Sequence, residues 1–209
     1  MQLQCAVYIG ELQLNELHKQ QIERGYNAIL NKEINYFFYN KLDGCINYSL
    51  GIIHLIPGSF NPLHGGHRNL SKSVKDCFGR FTAYELSLKR REKEPLSLDD
   101  LITRLEQFEE DEFVVITNAD FFARKAGCFR KEVELHFHLG YDTATRILSD
   151  DTKLGIQGIR ATFWVYDRCD KTYNDLPEKP SNMFGGHLCS NEFMNVSSTQ
   201  IRQNNRCCN

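Results

Sequence analysis

The feature that most constrains this chain is a change of pattern at residue 51. There Ile52-Ile53-His54-Leu55-Ile56 forms a short apolar run ended by Pro57-Gly58, and similar runs then recur with helix-patterned segments between them. A nearly continuous apolar run of this length suits a strand buried on both faces. The pattern predicts a helix over 66–78, with Leu70, Val74, Cys77 and Phe78 on one face, and a strand over 81–88. Ser97-Leu98-Asp99-Asp100 reads as a capping box, and Leu98, Leu101, Ile102, Leu105 and Phe108 continue as a helical stripe. Strands at 113–117, 133–139 and 161–166 and helices at 120–128 and 142–148 complete the alternation. Strands separated by helices of this length imply an α/β fold, a doubly wound parallel sheet built by right-handed crossovers. Ligands in such sheets bind beyond the carboxyl ends of the strands.

Residues 1–50 read differently. Leu12, Leu14, Leu17, Ile22, Ile29 and Leu30 lie among Glu, Lys and Gln, which predicts one or two amphipathic helices, followed by the aromatic run Tyr36-Phe37-Phe38-Tyr39 and a turn at Asp43-Gly44. This segment is taken as a short helical N-terminal extension, and 51–209 as the main domain. It carries no recognisable chemistry and is expected to pack against the main domain or a partner. Residues 170–195 read as a long loop, a feature that usually serves a site.

A chain of 209 residues can bury roughly 70% of the surface its unfolded form exposes, so it needs no disulfide or metal scaffold. Fourteen Phe, nine Tyr and one Trp exclude disorder. Twenty-five Lys+Arg against twenty-seven Asp+Glu give a formal charge of -2, so capture of nucleic acid on a basic surface is not expected. No apolar run approaches the ~18 residues of a membrane span, and the first residues show no basic leader or cleavage site. The eight cysteines are scattered without a CxxC pair and read as reduced thiols. A cytoplasmic protein is expected, and the sequence is compatible with assembly of identical copies.

Two anion sites stand out. The first is Pro57-Gly58-Ser59-Phe60-Asn61-Pro62-Leu63-His64-Gly65-Gly66-His67, set between a buried strand and a helix. Its glycines let the backbone approach a ligand closely, and the helix start offers free N–H groups with partial positive charge. His64 and His67, three residues apart on the first turn, can face one anion and meet charge as it develops. The second is Val196-Ser197-Ser198-Thr199-Gln200-Ile201-Arg202. With Ser197 as N-cap, Gln200 completes a capping box, and Val196 and Ile201 form a hydrophobic staple. The N–H groups of Ser198 and Thr199 then open a helix, with Arg202 in reach of the same space. Taken alone, that segment reads equally as an ordinary capped helix.

HxGH after a strand, paired with SSTxIR near the C-terminus, resembles the nucleotidylyltransferase superfamily. GSFNPLHGGH is most similar to the nicotinamide/nicotinate mononucleotide adenylyltransferases, and EPLSLDDLITRLEQF, VVITNADFFARKA and HLGYDTATRIL resemble a related cytidylyltransferase-like branch. The likeness covers residues 52–203 and implies a Rossmann-like sheet. It implies that Gly58, Ser59 and Phe60 lie against the nucleotide, with backbone contacts near the α-phosphate. His64 and His67 would hold the triphosphate, and Asp142 would contact ribose or substrate. Ser198, Thr199 and Arg202 would stabilise departing pyrophosphate, aided by Mg²⁺, with no protein-built metal site. His64, His67 and Arg202 are thereby the catalytic candidates. The implied reaction transfers a nucleotidyl group from ATP to nicotinamide or nicotinate mononucleotide, forming NAD or its deamido form and pyrophosphate. The likeness departs at Arg90 and Arg91, where a smaller polar stretch is usual.

Lys89, Arg90, Arg91 and Lys93 follow the second strand of the main domain at its carboxyl end. Lys89, Arg90 and Lys93 are candidates for the acceptor's phosphate, and a solvated loop balanced by the acids of 99–112 fits equally. His136 and His138 share one face of a strand, and without a third ligand nearby they read as packed histidines rather than a metal pair. Three other functions stay open. One is a CTP-dependent cytidylyltransferase acting on a phospho-alcohol. Another is a non-catalytic nucleotide-binding sensor, disfavoured by intact His64, His67 and Arg202. A tRNA synthetase fragment is the poorest, because SSTQIR replaces the expected lysine-rich motif.

Overall fold

A computed structural model describes residues 16–46, 51–79, 81–89, 94–149, 156, 158–168, 171–188 and 201. In chain order the described elements are α1 (Glu16–Leu30), β1 (Tyr36–Asn40), β2 (Gly44–Ile46), β3 (Ile52–Pro57), α2 (Gly65–Phe78), β4 (Thr82–Ser87), α3 (Leu98–Leu105), β5 (Phe113–Thr117), α4 (Phe122–Gly127), β6 (Glu134–Gly140), α5 (Tyr141–Ser149), β7 (Thr162–Tyr166) and β8 (Met183–Gly185), with a 3-10 turn at Tyr173–Asp175. The strands form one sheet in the order β2-β1-β5-β4-β3-β6-β7-β8. Every pairing from β5 to β8 is parallel, and β1 runs antiparallel to both β5 and β2. No described helix is long and apolar enough to cross a membrane.

Alternation along each strand divides the core into two layers. Ile56, Tyr84, Leu86, Val114 and Ile116 face one side, where Ile22 and Ile29 of α1, Leu70 and Val74 of α2, and Leu101 and Leu105 of α3 cover them. Ile53, Leu55, Val115, Phe137, Leu139 and Phe163 face the other, beneath Ala144 and Leu148 of α5 and Phe122 and Ala126 of α4. Strands buried on both faces explain the unbroken apolar runs of the sequence.

Two strand additions were not foreseen. Residues 36–46, within the segment read as a helical extension, form β1 and β2 and lengthen the sheet, with Phe38 of β1 opposite Val115 of β5. α1 packs over this edge, so Ile22, Ile29, Phe37 and Tyr39 are core residues. The stretch read as a long loop holds β8, whose Met183 is opposite Phe163 of β7.

The chain leaves β3 for β4 and β5 on one side and returns to β6 and β7 on the other. The strand order therefore reverses between β3 and β6, and the helices that follow those two strands, α2 and α5, lie on opposite faces. That reversal opens a crevice at the strands' carboxyl ends. The loop 58–64 forms its rim.

Candidate active site

The rim loop is shaped by the residues it buries. The Gly58 N–H donates to the Glu85 carbonyl at 3.0 Å, extending the β3–β4 ladder by one bond. Phe60 then turns into the core, fully buried, its ring edge-on to Tyr84 at 5.3 Å and to Phe108 at 5.4 Å. The turn requires Phe60 to adopt φ 45°, a left-handed conformation that costs a non-glycine residue about 1 kcal/mol or more. A β-carbon on Gly58 would lie 2.6 Å from the Phe60 ring, so only glycine fits beneath it. The chain next passes through a cis Asn61–Pro62 bond into His64.

Three side-chain bonds from the α3 region hold this turn. Arg104 Nη1 donates to the Ser59 carbonyl at 2.6 Å. Gln107 Nε2 donates to the Phe60 carbonyl at 3.0 Å, and Gln107 Oε1 accepts the Leu63 N–H at 2.8 Å. Arg68 of α2 donates to the Gln107 carbonyl at 2.8 Å and pairs with Glu109 at 2.9 Å, tying α2 to the same corner. The helical stripe was expected to run through Phe108, but α3 ends at Leu105. The next bonds are short-range, Gln107 N–H to Arg104 and Phe108 N–H to Leu105, each 3.3 Å. That tightening swings Gln107 onto the loop.

His64 is the N-cap of α2, in extended conformation, and His67 occupies the third helical position. Their rings stack at 3.8 Å between centroids, and Phe60 meets His67 edge-on at 5.0 Å. The two histidines thus share one face, as their spacing predicts. The amides of Gly65 and Gly66 open the helix with no carbonyl a turn earlier to bond. Burial, then the neighbouring His64, then Arg168 push the His67 pKa down to about 3. Burial and Arg168 lower His64 as well. Both rings are therefore neutral before ligand binds. The His64 N–H donates to His67 Nδ1 at 3.4 Å, which places the single proton of neutral His67 on Nε2. His64 Nδ1 is buried and meets no hydrogen-bond partner among the described residues.

These depressed values carry a stability signature. Below their ordinary pKa near 6.5 these histidines take up protons in the unfolded chain while the folded protein still excludes them, so stability falls as pH falls through that value. His138, lowered by burial and by His54 and His136, adds to the same trend. For His67, whose pKa falls to about 3, the slope approaches about 1.4 kcal/mol per pH unit below the ordinary value. Urea unfolding of the unliganded protein between pH 7.5 and 5.5 is expected to show this loss, and His67→Gln should flatten part of it. Stability that stays level across the window would contradict neutral, desolvated rings.

Arg168, the second residue after β7, was not foreseen from the sequence. Its guanidinium pairs with the Asp142 carboxylate at the start of α5, so the structure gives Asp142 a protein partner at the crevice. Its position just past a strand end was the available signal. Nothing comparable marked Arg104 or Gln107, which look like the polar face of a helix.

The remaining candidates divide. Lys89 is exposed at the end of β4, with Nζ 3.7 Å from the Asp120 carboxylate. Arg90, Arg91 and Lys93 lie outside the described residues, as do Ser197, Ser198, Thr199, Gln200 and Arg202. Below Lys89, Glu85 is fully buried and is bound by Lys125 of α4 and by the Thr117 hydroxyl at 2.6 Å. His138 Nε2 meets His54 Nδ1 at 2.9 Å, and His138 Nδ1 meets the Tyr166 hydroxyl at 2.8 Å, because the sheet order sets β3 beside β6. Trp164 donates to His136 Nδ1 at 3.0 Å, so His136 Nε2 carries a proton toward Glu134. Of the two read as packed histidines, His138 is thus buried in a hydrogen-bonded cluster with His54 and Tyr166, and the partly buried His136 is held by Trp164 and Glu134. No group of three His, Cys, Asp or Glu among the described residues is placed to hold a metal.

Residues 55–204 match the family model described as cytidylyltransferase-like. No curated protein matches the chain in sequence. Among solved structures it is similar to the Plasmodium falciparum nicotinic acid mononucleotide adenylyltransferase complexed with APC, with a TM-score of 0.51 and 16% identity over 74% of this chain and 83% of that one. At that identity the likeness speaks for the fold. The family match begins within β3, takes in the loop with its two histidines and the segment around Arg202, and covers well over half the chain: the protein belongs to the cytidylyltransferase-like family.

Proposed function

We propose that this protein transfers the adenylyl group of ATP to the phosphate of nicotinamide or nicotinate mononucleotide, forming NAD or its deamido form and releasing pyrophosphate. Family membership supports nucleotidyl transfer as the reaction class. The observation that carries the reading is the stacked His64–His67 pair on the N-terminus of α2, at the crevice where the strand order reverses. The acceptor is drawn from the GSFNPLHGGH likeness and from the similar structure, whose name specifies nicotinic acid mononucleotide.

An acceptor phosphate oxygen attacks the α-phosphorus in line as the bond to the bridging oxygen breaks, and that electron pair leaves on pyrophosphate. Catalysis is then positioning and electrostatic stabilisation. His67 offers a proton on Nε2, and the opening amides of α2 add donors with the helix dipole behind them. A bound triphosphate raises the affinity of both rings for protons, so they gain charge where it is needed. Arg202, Ser198 and Thr199 are proposed at the pyrophosphate, Asp142 at the ribose or substrate, and Lys89, Arg90 and Lys93 at the acceptor phosphate. Mg²⁺ would enter on the triphosphate, keep several of its waters and offset part of the phosphate charge without a dedicated protein cage.

A second reading, CTP with a phospho-alcohol, is favoured by the description of the family itself. Pyrophosphate release measured with ATP or CTP, each crossed with nicotinamide mononucleotide, nicotinate mononucleotide and phospho-alcohols, separates the two. Turnover with ATP and a pyridine mononucleotide supports the proposal. Turnover confined to CTP replaces it, and binding without turnover points to a sensor.

A further inference from the structure

The Ser59–Phe60 turn is held in an unfavourable state. With φ 45°, Phe60 sits where side chains are disfavoured. Rotating the Ser59–Phe60 peptide by half a turn would return Phe60 to an ordinary negative φ. It would also swing the Ser59 carbonyl to the opposite side of the loop. The observed state persists because Arg104 binds the Ser59 carbonyl at 2.6 Å and Gln107 binds the Phe60 carbonyl at 3.0 Å. In a planar trans peptide the N–H points opposite to its C=O. With both carbonyls drawn to the α3 region, the amides of Phe60 and Asn61 are turned to the far side.

We infer that Gln107, together with Arg104, is a positioning residue for nucleotide binding. It fixes the polarity of the loop, so that amides rather than carbonyls meet the triphosphate. The inference rests on the reading of loop 58–64 as the nucleotide cradle. The chemistry favours it, because a carbonyl dipole facing phosphate is repulsive and an amide facing it is a charge-assisted hydrogen bond. Gln107 suits the task because its amide supplies a donor to Phe60 and an acceptor to Leu63 at once.

The test is Gln107→Met, which keeps the length and bulk of the side chain and removes both bonds. Gln107→Glu is the second variant, keeping the acceptor for Leu63 and losing the donor to Phe60. Each is expected to raise KM for the nucleoside triphosphate by about tenfold, while KM for the acceptor moves by less than about twofold. The melting temperature of the unliganded protein should shift by only a few degrees, as expected for one partly exposed hydrogen-bonded residue. A packing role predicts a Gln107→Met enzyme equal to wild type, and general damage predicts both KM values rising together. Either result overturns the inference. Should Gln107→Met fail to fold, Gln107→Glu decides by the same criteria. Should the wild type turn over no substrate pair, the functional proposal fails by itself, and calorimetric affinity for ATP then judges the clamp. A loss of about tenfold in the variants supports it, and equal or absent affinity in all three proteins overturns it.

Discussion

His67→Ala is expected to lower kcat by about 10²- to 10³-fold, the range for removing one preorganised donor from developing negative charge. The ring stands at the third position of α2, stacked on His64 and braced by Phe60, so its Nε2–H is held in place before substrate arrives. Charge that develops only in the transition state makes the loss fall on kcat more than on KM. The amide variants sharpen this. Gln carries an Nε2 that reaches about as far as the imidazole Nε2, whereas Asn reproduces only the Nδ1 side that accepts the His64 N–H. His67→Gln should therefore retain more activity than His67→Asn. Steady-state kinetics beside an unfolding curve for each variant checks both claims. A folded His67→Ala protein with wild-type turnover would remove this residue from the chemistry.

The second large effect is on stability. Lys125→Met is expected to cost about 3–5 kcal/mol, because it strands the fully buried Glu85 carboxylate. The Thr117 hydroxyl still donates to that carboxylate, but a single neutral donor does not replace an ammonium. The double variant Glu85→Gln with Lys125→Met removes the charge as well as its partner and should recover most of the loss. Urea denaturation reads the difference. A Lys125→Met protein within about 1 kcal/mol of wild type would mean that the pair is easily reached by water. Because the Glu85 carbonyl accepts the Gly58 N–H, the pair also underlies the start of loop 58–64.

What was legible in the sequence was local. Ile52–Ile56 followed by Pro57-Gly58 marks a strand and its end, and Ser97 acts as the cap the sequence predicts, its hydroxyl accepting the Asp100 N–H at 3.2 Å. The HxGH spacing placed both rings on one face without knowledge of the sheet. What escaped depends on distant partners. The aromatic run 36–39 becomes a strand only because β5 offers an edge, an antiparallel pairing across some of the longest sequence separations in the sheet. His54 and His138 meet only because the chain places β6 beside β3. Arg104 and Gln107 carry no periodic signal, since their role arises where α3 unwinds against a loop more than forty residues earlier.

Loop 58–64 and α2 are proposed to hold a nucleoside triphosphate for transfer of its α-phosphoryl nucleotide. ATP labelled with radioactive phosphorus at the α position, compared with ATP labelled at the γ position and with CTP labelled in the same two ways, tests this with the acceptors above. The α label is expected in the dinucleotide product and the γ label in the released pyrophosphate. A γ label transferred to the acceptor, or neither label transferred from ATP or from CTP, would contradict it.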